Sequence, residues 1–150
     1  MGRSEEYPYG VCGVYCGQCA SGNGRVRHFA RELRRLTDVY LNWMERVDMG
    51  FDWVEFRKGL DVISRWRCNC LDVEECHVGN KQCAGERGLR SCLECGDYPT
   101  CERTTYQRNK YPFVMENHEF VQREGLDAWL EREEEKAKAG VDMCTHLLKG

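Results

Sequence analysis

The sequence lacks the long hydrophobic run that a membrane span requires. No stretch approaches the ~18 consecutive apolar residues of a spanning helix, and the opening MGRSEEYPYG contains no apolar segment typical of a secretory signal. We therefore expect a cytoplasmic protein with no membrane segment. Thiols stay reduced in the cytoplasm, so abundant cysteine there indicates metal binding or catalysis more than disulfide bonds.

The sequence also lacks the motifs of familiar enzyme classes. Gly22-x-Gly24 is not a dinucleotide-binding fingerprint, because the third glycine and the preceding strand are missing. His118-Glu119 does not begin an H-E-x-x-H metalloprotease site, since residue 122 is glutamine. Neither a phosphate-binding loop nor a zinc-deaminase signature is present. The sequence therefore contains no catalytic constellation and identifies no small-molecule substrate, and it favours a non-enzymatic role.

An excess of positive charge is missing as well. The 22 Lys and Arg residues are outnumbered by 25 Asp and Glu residues, and the formal net charge is −3. Thiolates bound to zinc would make the chain more acidic still. Because non-specific nucleic-acid binding needs a net positive surface, the composition disfavours nucleic acid and leaves a partner protein as the expected ligand of an exposed face.

Cysteine is what the sequence has in abundance, with 11 residues in a chain of 150. A tetrahedral thiolate site needs four sulfur atoms around one ion, and these usually come from two C-x2-4-C pairs. Ten of the cysteines fall in an N-terminal and a central block, enough for two four-cysteine sites, and no spacing decides which cysteines share an ion. The candidate metal ligands are Cys12, Cys16, Cys19, Cys68, Cys70, Cys76, Cys83, Cys92, Cys95 and Cys101.

The spacing favours zinc and keeps an iron–sulfur cluster as the alternative. Cys92-Leu-Glu-Cys95-Gly96 suits zinc, because the glycine lets the chain curl so that backbone amides point at the sulfur atoms. The C-x3-C-x2-C run from Cys12 to Cys19 resembles the [4Fe–4S] motif of radical S-adenosylmethionine enzymes, which however need a large α/β barrel. A weaker alternative to metal binding is a thiol-redox pair formed by Cys16 and Cys19, which have C-x2-C spacing.

Two histidine-containing pairs are less convincing ligands. His77 follows Cys76 directly and would replace a thiolate only in a site that binds its ion through both cysteine and histidine. Cys144 and His146 form a C-x-H pair near the C-terminus with no second pair beside it, which predicts a spare thiol.

The fifty-residue gap between the blocks predicts that N-terminal cysteines close a site with central ones. Structural zinc contributes roughly 10–16 kcal/mol of apparent binding free energy in small peptides. This exceeds the net stability of a typical domain, about 5–15 kcal/mol. We therefore expect metal loss to unfold the cysteine-rich half.

A helical hairpin is predicted between the blocks. Apolar residues recur at three- and four-residue steps over residues 26–47, the pattern of one amphipathic helix of about six turns. Asp52-Trp-Val-Glu55 has the form of a capping box and would begin a second helix. We expect the pair to be antiparallel and to bury its aromatic residues, among them Phe29 and Phe56, against each other.

Two further helices are predicted after Cys101. One spans Phe113–Glu124 and ends at Gly125; the next is capped by Asp127 and spans Ala128–Ala139. The predicted fold class is mainly α: one small domain organised by metal, with a helical hairpin, irregular cysteine-rich knuckles and a C-terminal helical tail. Its parts are a cysteine loop over 9–24, the hairpin over 25–66, the metal-binding segment over 68–101 and the tail over 102–150.

The segments CGVYCGQC, CNC and CAGERGLRSCLECGDYPTC, in this order, resemble the domain-of-unknown-function family 3795, short cysteine-rich proteins of archaea and of anaerobic or soil bacteria. The likeness spans about residues 9–101, and EGLDAWLEREEE resembles the tail of that family. The resemblance implies a metal-binding fold, with zinc as the expected metal and no established activity. The chain departs from the family pattern at Thr100, which separates Pro99 from Cys101, in the Cys68–Cys70 spacing, and in the widened Cys76–Cys83 gap.

Overall fold

The computed structural model describes residues 9–68, 76 and 78–143. Within them the chain is mainly helical and contains one two-stranded sheet, which confirms the prediction of a small, mainly α domain. That metal organises this domain stays a prediction. The predicted ligand Cys70 lies outside the described residues, as do His77, Cys144 and His146. None of the described helices is both long enough and apolar enough to cross a membrane.

Helices and short turns of 3-10 helix follow one another along most of the described chain. The 3-10 turns cover Cys16–Gln18, Asn42–Arg46, Cys92–Glu94 and Glu102–Thr104. The α-helices are α1 (Arg25–Tyr40), α2 (Trp53–Ser64), α3 (Asn80–Glu86), α4 (Thr105–Lys110), α5 (Phe113–Glu124) and α6 (Leu126–Lys138).

A β-hairpin carries the first cysteine. Strands β1 (Tyr9–Gly10) and β2 (Val14–Tyr15) are antiparallel, and Tyr9 pairs with Tyr15. The amide of Gly13 donates to the carbonyl of Gly10 at 3.0 Å, and Gly13 has φ +100°. This is the three-residue hairpin loop that ends on a residue with positive φ, a position that favours glycine.

The first helix is shorter than its apolar period predicts. It ends at Tyr40, and the chain continues as the 3-10 turn of residues 42–46. Thr37, Val39 and Tyr40 are β-branched or aromatic residues with weak helix propensity, so the last turns have little intrinsic tendency to continue. The predicted start of α2 is confirmed, because the Asp52 carboxylate accepts from the amide of Glu55 at 2.9 Å.

The two helices form an antiparallel hairpin, which buries only some of the apolar residues that the period indicates, namely Ala30, Trp53 and Leu60. Asp38, in the C-terminal half of α1, accepts from Arg57, in the N-terminal half of α2, at 2.9 Å. The residues buried along the pair are Ala30 and Thr37 on α1 with Trp53, Leu60 and Ser64 on α2. The expected burial of Phe29 and Phe56 is wrong: both stay partly exposed, because small residues let the two helices pack along a neighbouring line.

The main core lies outside this hairpin. Trp129 of α6 is fully buried and is met edge-on by Tyr9 and Tyr15 of the β-hairpin, with ring centroids 6.2 and 6.1 Å away. Such edge-to-face pairs add to the stabilisation from area burial. The core therefore joins the N-terminal hairpin to the central cysteines and the last two helices. Its buried members are Tyr15, Cys92, Leu93, Tyr98, Val114, Val121, Leu126 and Trp129.

The junction of the last two helices is partly as predicted. Helix α5 ends at Gly125, whose amide donates to the carbonyl of Val121 at 2.9 Å. Helix α6 begins at Leu126 rather than Ala128, with Gly125 as its N-cap. The predicted cap by Asp127 is wrong, because this carboxylate accepts from Arg90 at 2.8 Å.

Candidate metal centre

The N-terminal and central cysteine blocks meet through their backbones. The amide of Cys92 donates to the carbonyl of Val11 at 2.7 Å, and the hydroxyl of Ser91 donates to the same carbonyl at 3.0 Å. The phenol of Tyr98 donates to the carbonyl of Cys12 at 2.8 Å. These bonds place Cys12 at the edge of the central block.

Both C-x2-C segments have the same local geometry. In each, the first cysteine begins a 3-10 turn, and the amide of the second donates to its carbonyl, at 3.1 Å for Cys19 to Cys16 and 3.0 Å for Cys95 to Cys92. Cys19 and Cys95 then leave the turn in nearly identical extended conformations, with φ and ψ of −90° and 119° and of −83° and 124°. Two cysteines at the ends of such a turn have the spacing that a ligand pair requires.

The Cys92–Cys95 turn is held by a capping box. The hydroxyl of Ser91 accepts from the amide of Leu93 at 3.2 Å, and the carboxylate of Glu94 accepts from the amide of Ser91 at 3.1 Å. Leu93 is fully buried in the main core. The turn is therefore fixed by two reciprocal bonds and by a side chain between its two cysteines.

Gln18 holds the N-terminal turn against α6. Its side-chain amide donates to the Glu133 carboxylate at 2.6 Å and to the Glu133 carbonyl at 3.1 Å. Glu133 is buried and also accepts from Lys136 at 2.8 Å and pairs with Arg132. The buried carboxylate is thus satisfied by its neighbours, as buried charge requires.

Four cysteines of the central block are among the twelve residues that line one cavity of about 40 Å³. Cys83 comes from α3, Cys92 and Cys95 come from the capped turn, and Cys101 precedes the turn that leads into α4. The cavity has room for an ion or a few water molecules, and it is far smaller than the roughly 300–1,000 Å³ of an organic-ligand pocket.

Side-chain and backbone bonds set the spacing between Cys83 and Cys101. Arg103 donates to the carbonyl of Gly79, just before α3, at 3.2 Å. Asn80, the first residue of α3, donates to the carbonyl of Arg103 at 3.4 Å. Helix α3 is therefore tied to the turn that follows Cys101.

The thiols are close enough to affect one another electrostatically. Burial, followed by the charges of Cys12, Cys83, Cys101 and Cys95, raises the pKa of Cys92 to about 12. Without a cation, burial and the neighbouring thiols therefore disfavour the thiolate form of Cys92. A divalent cation reverses this effect, because a metal-bound thiol is deprotonated. The donor set of the cavity therefore fits a thiolate-binding metal.

Three polar residues outside the cysteine pattern support the Cys92–Cys95 turn. Arg87 donates to the sulfur of Cys95 at 3.0 Å and to Asp97 at 2.8 Å. Gln122 donates to the carbonyl of Leu93 at 2.9 Å, and His118 lies 3.1 Å from the carbonyl of Cys95 while its ring stacks on Tyr98. Sequence reasoning missed these residues, since the contacts of His118 and Gln122 depend on the approach of α5 to the turn and that of Arg87 on the position of α3.

The remaining predicted ligands lie elsewhere in the described chain. Cys12 is half-buried and contributes to the charge around Cys92, although it does not line the cavity. Cys16 is buried in the N-terminal turn. Cys19 is half-buried near Tyr111, whose pKa is raised by burial, with Cys19 as a minor contributor. Cys68 and Cys76 are half-buried.

The sulfur atoms do not yet stand in coordination geometry. Across residues 9–68, 76 and 78–143, no group of three or more His, Cys, Asp or Glu side chains is arranged to hold an ion. The four thiols of the cavity share a volume without converging on one point. Metal binding by the ten predicted cysteines therefore remains a prediction.

The family comparison agrees with the order of the cysteine segments. A family model described as "Protein of unknown function (DUF3795)" matches residues 8–106, about two thirds of the chain. The chain belongs to this family. The DUF3795 region includes both cysteine blocks and the helical hairpin and ends within α4, which confirms the resemblance seen in the sequence. No curated protein and no solved structure matches the chain.

Proposed function

We propose that Cys83, Cys92, Cys95 and Cys101 bind one structural zinc ion in this DUF3795 protein. The observation that carries the proposal is the cavity of about 40 Å³ lined by these four thiols. Four thiolates form a common donor set of structural zinc sites, in which all four positions of the tetrahedron are filled by protein.

Rotation of the cysteine side chains is the step by which the four sulfur atoms would meet around one ion. A change of one χ1 rotamer moves a cysteine sulfur by about 3 Å without moving the backbone. The backbone framework is already held by the capped turn and by the contacts between α3 and Arg103. Binding would then cost little reorganisation of the chain.

Arg87 would act as an outer partner of the metal. Its guanidinium contacts the sulfur of Cys95 at 3.0 Å and so would offset part of the charge of four thiolates around one divalent cation. The ion itself would supply charge neutralisation and a cross-link between three separate segments. Its role in this proposal is structural, and the exposed faces of the molecule would serve a partner protein.

An iron–sulfur centre is the second candidate. It is favoured by the C-x3-C-x2-C run over Cys12, Cys16 and Cys19, which follow one another through the β-hairpin loop and the N-terminal turn. The size of the central cavity favours a single ion there, because a four-iron cluster has eight atoms.

A second four-cysteine zinc site that uses the N-terminal block is also part of the proposal.

Metal analysis of protein purified without oxygen tests these alternatives. We expect a colourless protein with at least one zinc per chain. A brown protein with a visible charge-transfer band and four irons per chain would instead support the cluster. A protein that carries neither metal and forms a reversible disulfide would contradict both.

Ligand substitutions test the assignment of the cavity. Cys95→Ser should lose one metal equivalent and part of the helical circular-dichroism signal, because the ion joins segments of the core. Cys144→Ser is the control that should lose neither. Cys19→Ser, at the equivalent position of the N-terminal turn, should leave the cavity metal in place. If Cys95→Ser keeps its full metal content, the assignment is wrong.

A further inference from the structure

The exposed hydrophobic residues are concentrated in the α1–α2 hairpin. In the described part of the chain, every exposed large hydrophobic residue except Tyr106 lies between residues 29 and 66. The main core contains no residue of this segment. The hairpin therefore carries apolar surface that the rest of the described chain does not cover.

Six of these residues form one continuous face. Successive residues of an α-helix are rotated by about 100°. On α1 the exposed stripe lies about 80° from the line of buried contact residues, and on α2 it lies about 70° from it, in the same sense along each helix. Because the helices are antiparallel, both stripes point to the same side of the pair. This apolar face consists of Phe29, Leu33, Leu36 and Tyr40 of α1 with Phe56 and Ile63 of α2.

The area of the apolar face matches that of a protein interface. Phe29, Tyr40 and Phe56 are 58%, 67% and 37% exposed, which at ~200 Å² per aromatic side chain leaves roughly 300 Å² open. The three aliphatic members, each about 40% exposed, bring the total to the order of 450 Å². One partner of a standard interface buries about 800 Å², of which roughly 60% is apolar, so the two areas agree.

Charge along the edges of the apolar face is balanced on both sides. On α1 the outer edge carries Glu32 and Arg35, which pair at 3.0 Å. On α2 it carries Glu55 and Lys58, which pair at 2.6 Å. Each pair lies at a similar angle from its stripe, so both edges present a carboxylate next to a cation.

This pattern identifies the kind of partner. Membrane-surface helices and nucleic-acid surfaces are rich in Lys and Arg beside the contact face, whereas each edge here pairs its cation with a carboxylate. A two-fold symmetric dimer brings the same patch of two chains together, so an edge with both charge signs can pair with its own copy. We propose that the apolar face binds the same face of a second copy of this chain and forms an intermolecular four-helix bundle.

The mass of the full-length, metal-loaded protein in solution is the primary test. Sedimentation equilibrium over a range of micromolar concentrations should give twice the 17.5 kDa of one chain. A mass of one chain at every concentration would overturn the proposal, as would binding to anionic phosphatidylserine vesicles by a protein that stays monomeric.

A matched pair of substitutions on α2 locates the interface. Ile63 lies on the apolar face and Val54 lies on the opposite side of the same helix, nine residues and half a turn of rotation away, and their exposures are 42% and 43%. Ile63→Glu should convert the dimer to monomer at concentrations where the wild type is dimeric. Val54→Glu should leave the dimer intact, since it adds the same charge outside the face.

Two further outcomes keep this test decisive. A dimer that survives in Ile63→Glu, or that dissociates equally in Val54→Glu, would overturn the proposal. If Ile63→Glu loses its helical signal, Leu33→Ser on α1 is the second variant, because it removes apolar area without placing a charge. Monomeric, folded Leu33→Ser would support the interface, and an unchanged dimer would contradict it.

Discussion

Gly13 provides a sharp test of how the hairpin and the central cysteines fit together. An alanine Cβ at this position would lie 2.7 Å from Cδ2 of Leu93 and 3.2 Å from the hydroxyl oxygen of Tyr98. Leu93 is fully buried and Tyr98 nearly so, so neither side chain has free space to move into. The substitution Gly13→Ala therefore acts on the β-hairpin and on the Cys92–Cys95 turn together.

Two costs add in Gly13→Ala. The positive φ of +100° costs an alanine about 1–2 kcal/mol, and overpacking of a filled core costs about 1–3 kcal/mol. The free energy of unfolding should therefore fall by about 2–5 kcal/mol. For a chain of this length each kcal/mol lowers the melting temperature by about 2–4 °C, so the expected decrease is roughly 5–20 °C.

Gly140→Ala is the matched control for Gly13→Ala. Gly140 also has positive φ, +80°, but an added Cβ there meets no atom of the described residues within 4 Å. It should show only the conformational cost of about 1–2 kcal/mol. Thermal unfolding of both variants, followed by circular dichroism at the same metal loading, makes the comparison. Equal losses in the two variants would refute the close packing of Gly13 against Leu93.

Three other substitutions test the core, a helix start and the docking of the N-terminal turn. Trp129→Ala removes the fully buried indole that contacts Tyr9 and Tyr15. Denaturant titration should show that the free energy of unfolding falls by about 3–5 kcal/mol. A loss below about 1 kcal/mol would contradict the packing of this core. Asp52→Ala removes the N-cap of α2 and should lower the free energy of unfolding by about 1 kcal/mol. The amide of Glu55 should then exchange its hydrogen faster, and an unchanged exchange rate would contradict the role of this cap. Gln18→Ala should lower the free energy of unfolding by about 1–3 kcal/mol, because buried Glu133 loses a hydrogen-bond donor. Gln18→Glu should lower it further, since two carboxylates would then meet. A larger loss in Gln18→Ala than in Gln18→Glu would be inconsistent with this contact.

Local chemistry was readable from the sequence. The capping-box pattern that begins at Asp52 predicted the start of α2, and Gly125 predicted the end of α5. Both predictions were possible because capping residues act on backbone groups within a few positions. The cysteine segments predicted the family in the same way, by spacing along the chain. The two C-x2-C segments, Cys16–Cys19 and Cys92–Cys95, form equivalent turns.

Contacts between distant segments were not readable. The period of α1 predicted an apolar stripe correctly but not what it packs against, since hydrophobic periodicity defines a face and contains no information about its neighbour. Asp127 had the chemistry of a cap, yet a cation distant in sequence, Arg90, binds it instead. Which four thiols share the central cavity was likewise undetermined by spacing.

The sequence by itself determined the cysteine-rich family, the mainly helical fold class and the local turns around the cysteine pairs, since these depend on residues within a few positions of one another. Only the tertiary structure decided that Cys83 and Cys101 lie with the Cys92–Cys95 turn around one cavity and that the hairpin leaves an apolar face open. Both depend on how separately formed elements pack, and that packing is a property of the whole chain.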